Sequence, residues 1–425
     1  MIKKFVPCIY LKDEKAVKSF DCLEVINDDP VLLAEKYNDD NCDEIIVFDL
    51  SEGDNEHEKA LDVIKDICSK VDVPVIGAGN VKRMEDIKKL LYAGCKKAAL
   101  NFSKQGNIDI LEEVSLKFGK EKIVICYKDT DDIALHEEPI KKYAQELVLL
   151  DRQEIKESLK LDMPTIYALP DVSLDKILDL FRIPSVSGLT GEAINKNTAE
   201  INNIKKLCAE NAIEVSVLTP AFSWNELKKN NDGHVPVIIQ DYRTEEVLMM
   251  AYMNEQAYYD TLSTGKMHYY SRSRDEQWLK GETSGHFQFV KSLTADCDLD
   301  TILAKVKQIG AACHTGSRSC FFNEIAKKEY TEKNPQKVLD SVYSVIADRK
   351  VNPREGSYTN YLFDKGIDKI LKKCGEEATE IVIAAKNPND NEIVYEISDF
   401  LYHVMVLMVE KGVSWEDITD ELSRR

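Results

Sequence analysis

The sequence predicts three folds in succession: a (β/α)8 barrel over residues 1–218, an α+β domain over 234–324, and an all-α domain over 337–425. Three observations carry this reading. Short β-branched runs alternate with amphipathic helical stretches through the first half; shorter strands punctuated by glycine follow; and helical periodicity then runs almost unbroken to the end. At 425 residues the chain exceeds the size at which one core keeps growing, so several domains are expected.

The barrel rests on eight strand-like runs, at residues 5–11, 44–50, 73–77, 97–102, 122–127, 146–150, 165–169 and 183–187. Eight is the count that closes a parallel barrel, with an open doubly wound sheet as the alternative. Between them, Met84, Ile87, Leu90 and Leu91 show the helical period, and Gly94 stops that element. Residues 219–233 are polar and rich in Lys and Asn, which reads as a linker. The α+β segment has one helix expected near 301–308. A charged linker over 325–336 precedes the all-α domain, in which Pro353, Gly356 and residues 387–390 mark loops.

Apolar residues make up 44% and charged residues 31%, the balance of a soluble globular protein. The formal charge of −19 argues against nucleic acid as a partner. No apolar run reaches the roughly 18 residues of a membrane span, and Met1-Ile-Lys-Lys leads into a strand rather than a signal peptide, so a cytoplasmic location is expected. The eleven cysteines are odd in number and scattered, which does not suit a disulfide framework.

Three of these cysteines stand in polar surroundings: Cys297, Cys313 and Cys320. Cys297 lies inside Asp296-Cys-Asp-Leu-Asp300. In extended backbone alternate side chains share a face, so Asp296, Asp298 and Asp300 would point one way and Cys297 the other. Convergent carboxylates suit a hard ion such as Mg²⁺, and three thiolates suit Zn²⁺ with a fourth position left for water. Such a water is a nucleophile at neutral pH. The plainer alternative is a charged strand end with incidental cysteines. Upstream, Tyr270-Ser-Arg-Ser-Arg274 and Trp278-Leu-Lys-Gly-Glu-Thr-Ser-Gly-His286 offer what a phosphorylated nucleotide needs. Arg272 and Arg274 can hold phosphate; Ser271, Ser273 and Ser284 can hydrogen-bond it; Gly281 and Gly285 allow close backbone approach. A polar strand pair is the alternative here.

Together with residues 235–244, 247–254 and 312–321, these motifs resemble phosphoribosyl-AMP cyclohydrolase across 234–324. The resemblance implies Mg²⁺ on Asp296, Asp298 and Asp300, and Zn²⁺ on Cys297, Cys313 and Cys320 across a dimer interface. Trp278, Lys280, Glu282 and Ser284 join Arg272, Ser273 and Arg274 as substrate-contact residues. The implied reaction is attack of zinc-bound hydroxide at adenine C6 with opening of the N1–C6 bond, and His286 is the candidate proton carrier.

In the last domain, Glu376, Glu377 and Glu380 share one helix face, which alone would usually be solvated. The stretch 393–409, however, is apolar nearly all round yet carries Glu396 and Asp399 one turn apart. A helix of that kind is expected to be buried, where carboxylates need pairing or metal. Five carboxylates could hold one or two Mg²⁺ ions against a pyrophosphate, with Ser357, Tyr358 and Lys373 meeting the substrate. The words Gly356-Ser-Tyr-Thr359, Lys373-Cys-Gly-Glu-Glu-Ala-Thr-Glu-Ile381 and Glu396-Ile-Ser-Asp-Phe-Leu-Tyr-His403 resemble phosphoribosyl-ATP pyrophosphatase over about 336–425. The resemblance implies cleavage between the α- and β-phosphates, with Glu376 and Glu377 as catalytic residues and a homodimer formed through this domain and the middle one.

The barrel resembles, in outline, the cyclase subunit of imidazole glycerol phosphate synthase, through residues 4–13, 43–50 and 74–94. That family's two catalytic aspartates align with Tyr10 and Tyr127, and a phenol does not serve as a carboxylate at neutral pH. Ala78-Gly79-Asn80 and Leu169-Pro170 replace its glycine loops, so the cyclase reaction is expected to be lost. Asp49 persists at a strand end. A scaffold and a small-molecule sensor are both open roles. Against the bifunctional hydrolase stand a regulatory nucleotide-binding protein with structural metals, and a general nucleotide pyrophosphohydrolase using only the last helices.

Overall fold

The computed structural model describes residues 1–128, 133–150, 162–170, 173–328, 337–388 and 390–423. The chain divides into two compact units, Met1–Glu324 and Ile325–Arg425. Residues 329–336 of the expected second linker, and Asn389 of the expected loop, lie outside the described residues.

In the first unit the strands run β1 (Lys4–Phe5), β2 (Cys8–Lys12), β3 (Lys15–Val17), β4 (Val25–Asn27), β5 (Ile45–Asp49), β6 (Val75–Ala78), β7 (Lys97–Asn101), β8 (Ile123–Tyr127), β9 (Glu146–Leu149), β10 (Thr165–Ala168) and β11 (Val186–Thr190). From β5 to β11 each strand pairs in parallel with the next. The ring closes through the first strand, whose two halves flank Pro7: β1 pairs with β11 and β2 with β5. All eight expected barrel strands are present, the last placed three residues later than its sequence run. The hairpin β2–β3–β4 was not expected. Its turn holds Asp13 and Glu14 at φ 50° and 62°, a primed turn built without the usual Asn-Gly signal.

Alternation along the strands makes two cores. Outward side chains, Ile9, Val47, Leu100, Ile125 and Leu147 among them, pack under the helices. Inward ones, including Cys8, Tyr10, Phe48, Ala99 and Cys126, fill the lumen. Tyr127 belongs to the outer core, so the lumen position at the end of β8 is not a tyrosine, contrary to the sequence alignment. Tyr10 does face the lumen. It stacks on Phe48 (centroids 5.4 Å apart) and meets Phe20 edge-on (4.8 Å). The retained Asp49 is tied down locally, 2.5 Å from His57 Nδ1 and accepting the Ser51 hydroxyl at 2.5 Å.

At the N-terminal ends of the strands, Lys4 and Lys97 each bridge Glu44 and Glu146, at 3.1 and 2.6 Å for Lys4 and 2.9 and 2.8 Å for Lys97. Ser187 adds a hydrogen bond to Glu146 at 2.7 Å. Burial opposes the Glu146 charge, but the two lysines more than offset it and hold the carboxyl below its ordinary range. The stabilisation is therefore complete above the unfolded carboxylate pKa and is lost as pH falls through the lower folded one. Glu146→Ala leaves two largely buried lysines to share the single carboxylate of Glu44 and is expected to cost on the order of 3–5 kcal/mol by urea denaturation at neutral pH. A change near zero would show that the ring contributes no net stability.

The middle domain adds β12 (Val235–Asp241), β13 (Val247–Met253), β14 (His268–Ser271), β15 (Glu276–Leu279), β16 (Gln288–Ala295) and β17 (Ile302–Gln308). They form a four-stranded sheet in the order β13-β12-β17-β16 and a separate β14–β15 hairpin. The helix expected near 301–308 is instead strand β17: Ile302, Ala304 and Val306 are buried and alternate with the half-buried Leu303, Lys305 and Lys307, a period of two. The one α-helix of this domain spans Glu255–Thr264, capped by Asn254. The expected linker is also structured, with Trp224 and Leu227 buried in the core of this domain.

The second unit contains helices Val338–Val351, Tyr358–Lys365, Ile367–Ala384, Asp390–Lys411 and Trp415–Ser423. Its core gathers Ile346, Leu362, Ile370, Met405, Val406, Met408 and Val409. Only the second half of the Asp390–Lys411 helix is buried in it. Val394 and Tyr395 in the first half are 62% and 72% exposed, so the expectation of burial throughout does not hold within one chain.

Candidate active sites

In the middle domain, Asp296–Asp300 is the connection between β16 and β17 rather than a strand. Leu299 has φ 64°, and Asp296 accepts the backbone N–H groups of Asp300 and Thr301 at 3.0 and 3.2 Å. The turn, not strand alternation, brings Asp296, Asp298 and Asp300 together, with a ligand oxygen of each within 4.8 Å of the others. Three carboxylates so placed fit a hard divalent ion.

The thiols are arranged differently. Cys313 is buried in the loop after β17, and its sulfur accepts the Thr315 hydroxyl at 3.1 Å, which lowers its pKa. Cys320 lies beside it, held by its N–H to Leu248 O at 2.7 Å. Arg318 fixes the loop through Asp241 and Glu246, at 3.0 and 2.9 Å. Lys280 Nζ donates to Ala312 O at 2.7 Å; burial lowers its pKa, and it stands near both thiols. Cys297 is exposed on the β16–β17 turn, and the three sulfurs are not gathered within ligand reach of one another. One chain thus supplies two of the three expected thiolates in one place.

The β14–β15 hairpin presents Arg272, Ser273 and Arg274 on its exposed turn. The Arg272 guanidinium lies 3.7 Å from the centre of the Tyr252 ring, and Arg274 Nε contacts Ser271 Oγ at 3.3 Å and Glu276 at 3.1 Å. Trp278 packs on Tyr269, and Glu282 is exposed. Ser284 Oγ accepts the His286 N–H at 3.2 Å. His286 lies over Gly310, where a Cβ would come within 2.6 Å of the imidazole, so that glycine makes room for the ring.

In the second unit Glu377, Glu396 and Asp399 offer oxygens within 4.8 Å of one another. Glu380 joins their edge; its hydrogen bond with Glu396, and then the Glu377 charge, raise its pKa. Crowded carboxylates of this kind fit a divalent cation. Glu376 is not part of the group. It pairs with Lys372 and Lys373, at 3.3 and 3.0 Å, while Lys373 also reaches Glu377 at 2.9 Å. Ser357 caps the Tyr358–Lys365 helix by accepting the Asn360 N–H at 3.3 Å.

His403 is a member that sequence reasoning did not single out. Its Nδ1 is 2.8 Å from Asp399 O, which can only accept, so Nδ1 carries the proton and Nε2 accepts from the Tyr358 hydroxyl at 3.1 Å. The same Nδ1 is 3.6 Å from Glu377 Oε1. Its position four residues after Asp399, on the same helix face, was the available signal.

Family models match three stretches of the chain: Histidine biosynthesis protein over residues 4–157, Phosphoribosyl-AMP cyclohydrolase over 249–322, and Phosphoribosyl-ATP pyrophosphohydrolase over 339–425. The Histidine biosynthesis bifunctional protein HisIE of Thermoanaerobacter pseudethanolicus is 56% identical over 209 residues, covering 46% of this chain and 97% of its own length. The proteins of the same name from Lactococcus lactis and Bacillus subtilis are 49% and 46% identical, over 88% and 95% of their lengths and 45% and 47% of this chain. These shares are what the middle and C-terminal domains by themselves make up. With both functional domains matched at this identity, the chain belongs to the HisIE family of histidine biosynthesis bifunctional proteins.

Proposed function

We propose that the C-terminal helices and the middle domain act in that order on one substrate. The chain is a hydrolase of histidine biosynthesis with phosphoribosyl-ATP pyrophosphohydrolase and phosphoribosyl-AMP cyclohydrolase activities. The observation that carries the division of labour is one converging carboxylate group in each of the two domains. In the first step water adds to phosphorus, the bond between the α- and β-phosphates breaks, and pyrophosphate leaves phosphoribosyl-AMP behind. Glu377, Glu396 and Asp399, with Glu380, would hold Mg²⁺, and Lys373 would meet the phosphates. Tyr358 would order the approach to the site through His403. In the second step water adds at adenine C6 and the N1–C6 bond opens.

Asp296, Asp298 and Asp300 would hold Mg²⁺ for that second step, and Arg272, Ser273, Arg274 and Ser284 would position the phosphorylated substrate. Cys313 and Cys320 would hold Zn²⁺ with Cys297 of a second copy. When bound, that ion makes water acidic enough to react at neutral pH. His286 would carry the proton that the water gives up. Support for a homodimer comes from Phe321 and Phe322, 65% and 54% exposed beside Cys320, and from Val382, Ile383, Val394 and Tyr395, exposed on the two helices that bear the acidic group. The barrel we read as devoid of cyclase activity, since Tyr10, packed against Phe20 and Phe48, stands where the resemblance would place a catalytic carboxylate.

No helix among the described residues is long and apolar enough to cross a membrane. Mass spectrometry of the purified protein with phosphoribosyl-ATP, Mg²⁺ and Zn²⁺ tests the whole scheme. Loss of pyrophosphate followed by gain of one water is expected, with that product then accumulating unchanged. A folded, metal-loaded protein that leaves the nucleotide intact would refute it.

A further inference from the structure

We propose that the barrel is a brace for the cyclohydrolase site, with Asp39 and Asp72 as positioning residues that hold the β16–β17 hairpin in place. Lys307 on β17 binds both carboxylate oxygens of Asp39, at 2.9 and 3.1 Å, with Glu35 at 3.8 Å. Lys291 on β16 binds Asp72 at 2.5 Å, and the Tyr242 hydroxyl donates to the other Asp72 oxygen at 3.3 Å. Asp39 ends the Pro30–Asp39 helix before β5, and Asp72 precedes β6, so both anchors belong to the N-terminal rim of the barrel. The opposite rim, the one that carries active sites in barrels of this kind, takes no part in these contacts.

Two features distinguish this from chance surface pairing. The β16–β17 register shifts between Val290 and Ser292, which makes Lys291 the extra residue of a bulge. A bulge re-aims a side chain, and here that side chain reaches the barrel. On the barrel side one buried residue, Asn38, sets both anchors: its carbonyl accepts the Asp72 N–H at 3.0 Å and its amide donates to Asp39 at 3.2 Å. Lys307 and Asp39 are only 17% and 16% exposed, so water screens the pair little. Alongside, the helices Ile201–Glu210 and Glu255–Thr264 pack together, and Asn202 donates to Thr264 O at 3.0 Å.

The braced hairpin is the element on which the second reaction depends. His286 precedes β16 by two residues, Gly310 follows β17 by two, and Asp296–Asp300 form the tip. Misplacement of reacting groups by about 1 Å can lower a rate about a hundredfold, which gives a distant support a route to the chemistry. The catalytic consequence rests on the cyclohydrolase reading above; the mechanical one does not.

The test is a charge exchange in the full chain, read by hydrogen exchange and by both activities. Lys307→Glu, which faces Asp39 and Glu35, is expected to speed amide exchange across 286–310 about tenfold or more and to slow ring opening at constant pyrophosphate release. Asp39→Lys added to it should restore both. Lys291→Met, a milder change, should move exchange in the same direction. Unchanged exchange in Lys307→Glu and Lys291→Met would overturn the brace, as would failure of the double variant to recover. If the parent protein does not open the ring at all, the functional reading fails and the exchange data still decide the brace.

Discussion

Cys313→Ser is expected to abolish ring opening, by more than about a thousandfold, while pyrophosphate release from phosphoribosyl-ATP continues at the parent rate. Cys313 is the buried member of the thiol pair, and the Thr315 hydroxyl favours its thiolate, the form that binds metal. A serine oxygen is a poor ligand for a soft site, so zinc content should fall together with activity. The measurement is metal analysis beside a two-stage assay in which phosphoribosyl-AMP accumulates. Ring opening at an undiminished rate would remove the thiols from the reaction; loss of both activities would point to a folding defect instead. Because Cys297 stands apart in one chain, mixing Cys297→Ser and Cys313→Ser proteins should regenerate some activity if a second copy completes the set.

Glu377→Gln should give the mirror image, a fall in pyrophosphate release of about a hundredfold or more with ring opening of supplied phosphoribosyl-AMP unaffected. Glu377 is 3% exposed and belongs at once to the carboxylate group, the Lys373 ion pair and the His403 contact. Glutamine keeps the shape and removes the charge. Glu376→Gln, one residue away, is expected to cost less than about tenfold, since Glu376 pairs with the exposed Lys372 and the half-buried Lys373 and is not one of the converging carboxylates. Equal losses at both positions would restore Glu376 to the centre of the site and overturn the assignment made from geometry.

The sequence made the architecture legible where one physical signal dominated. Eight parallel strands showed as β-branched runs because both faces of such strands are buried. β17 was misread because its lysines interrupt an apolar row that is short enough to fit either period. The β2–β3–β4 hairpin was hidden because Asp13-Glu14 is not a usual turn pair. At the sites, residue type brought out the candidates, Asp296, Asp298 and Asp300 among them, but not the geometry that gathers some and separates others. Glu376 and Glu377 are adjacent in sequence and point to different partners, and no local pattern announces that Cys297 is distant from Cys313. The role of His403 depends on Tyr358, 45 residues earlier, and only the fold joins them.

The divided first strand also sets an order of events on the ribosome. Its two halves bind strands at opposite ends of the barrel sequence, Ile45–Asp49 and Val186–Thr190. A nascent chain therefore keeps Lys4 and Phe5 as an unsatisfied edge until residue 190 has emerged, a long-range closure of the kind that slows folding and exposes strands to misassociation. The β16–β17 hairpin emerges only after that closure can occur. Synthesis thus delivers the later domain to a finished surface, and a variant that delays closure should show its defect first as aggregation of newly made chains.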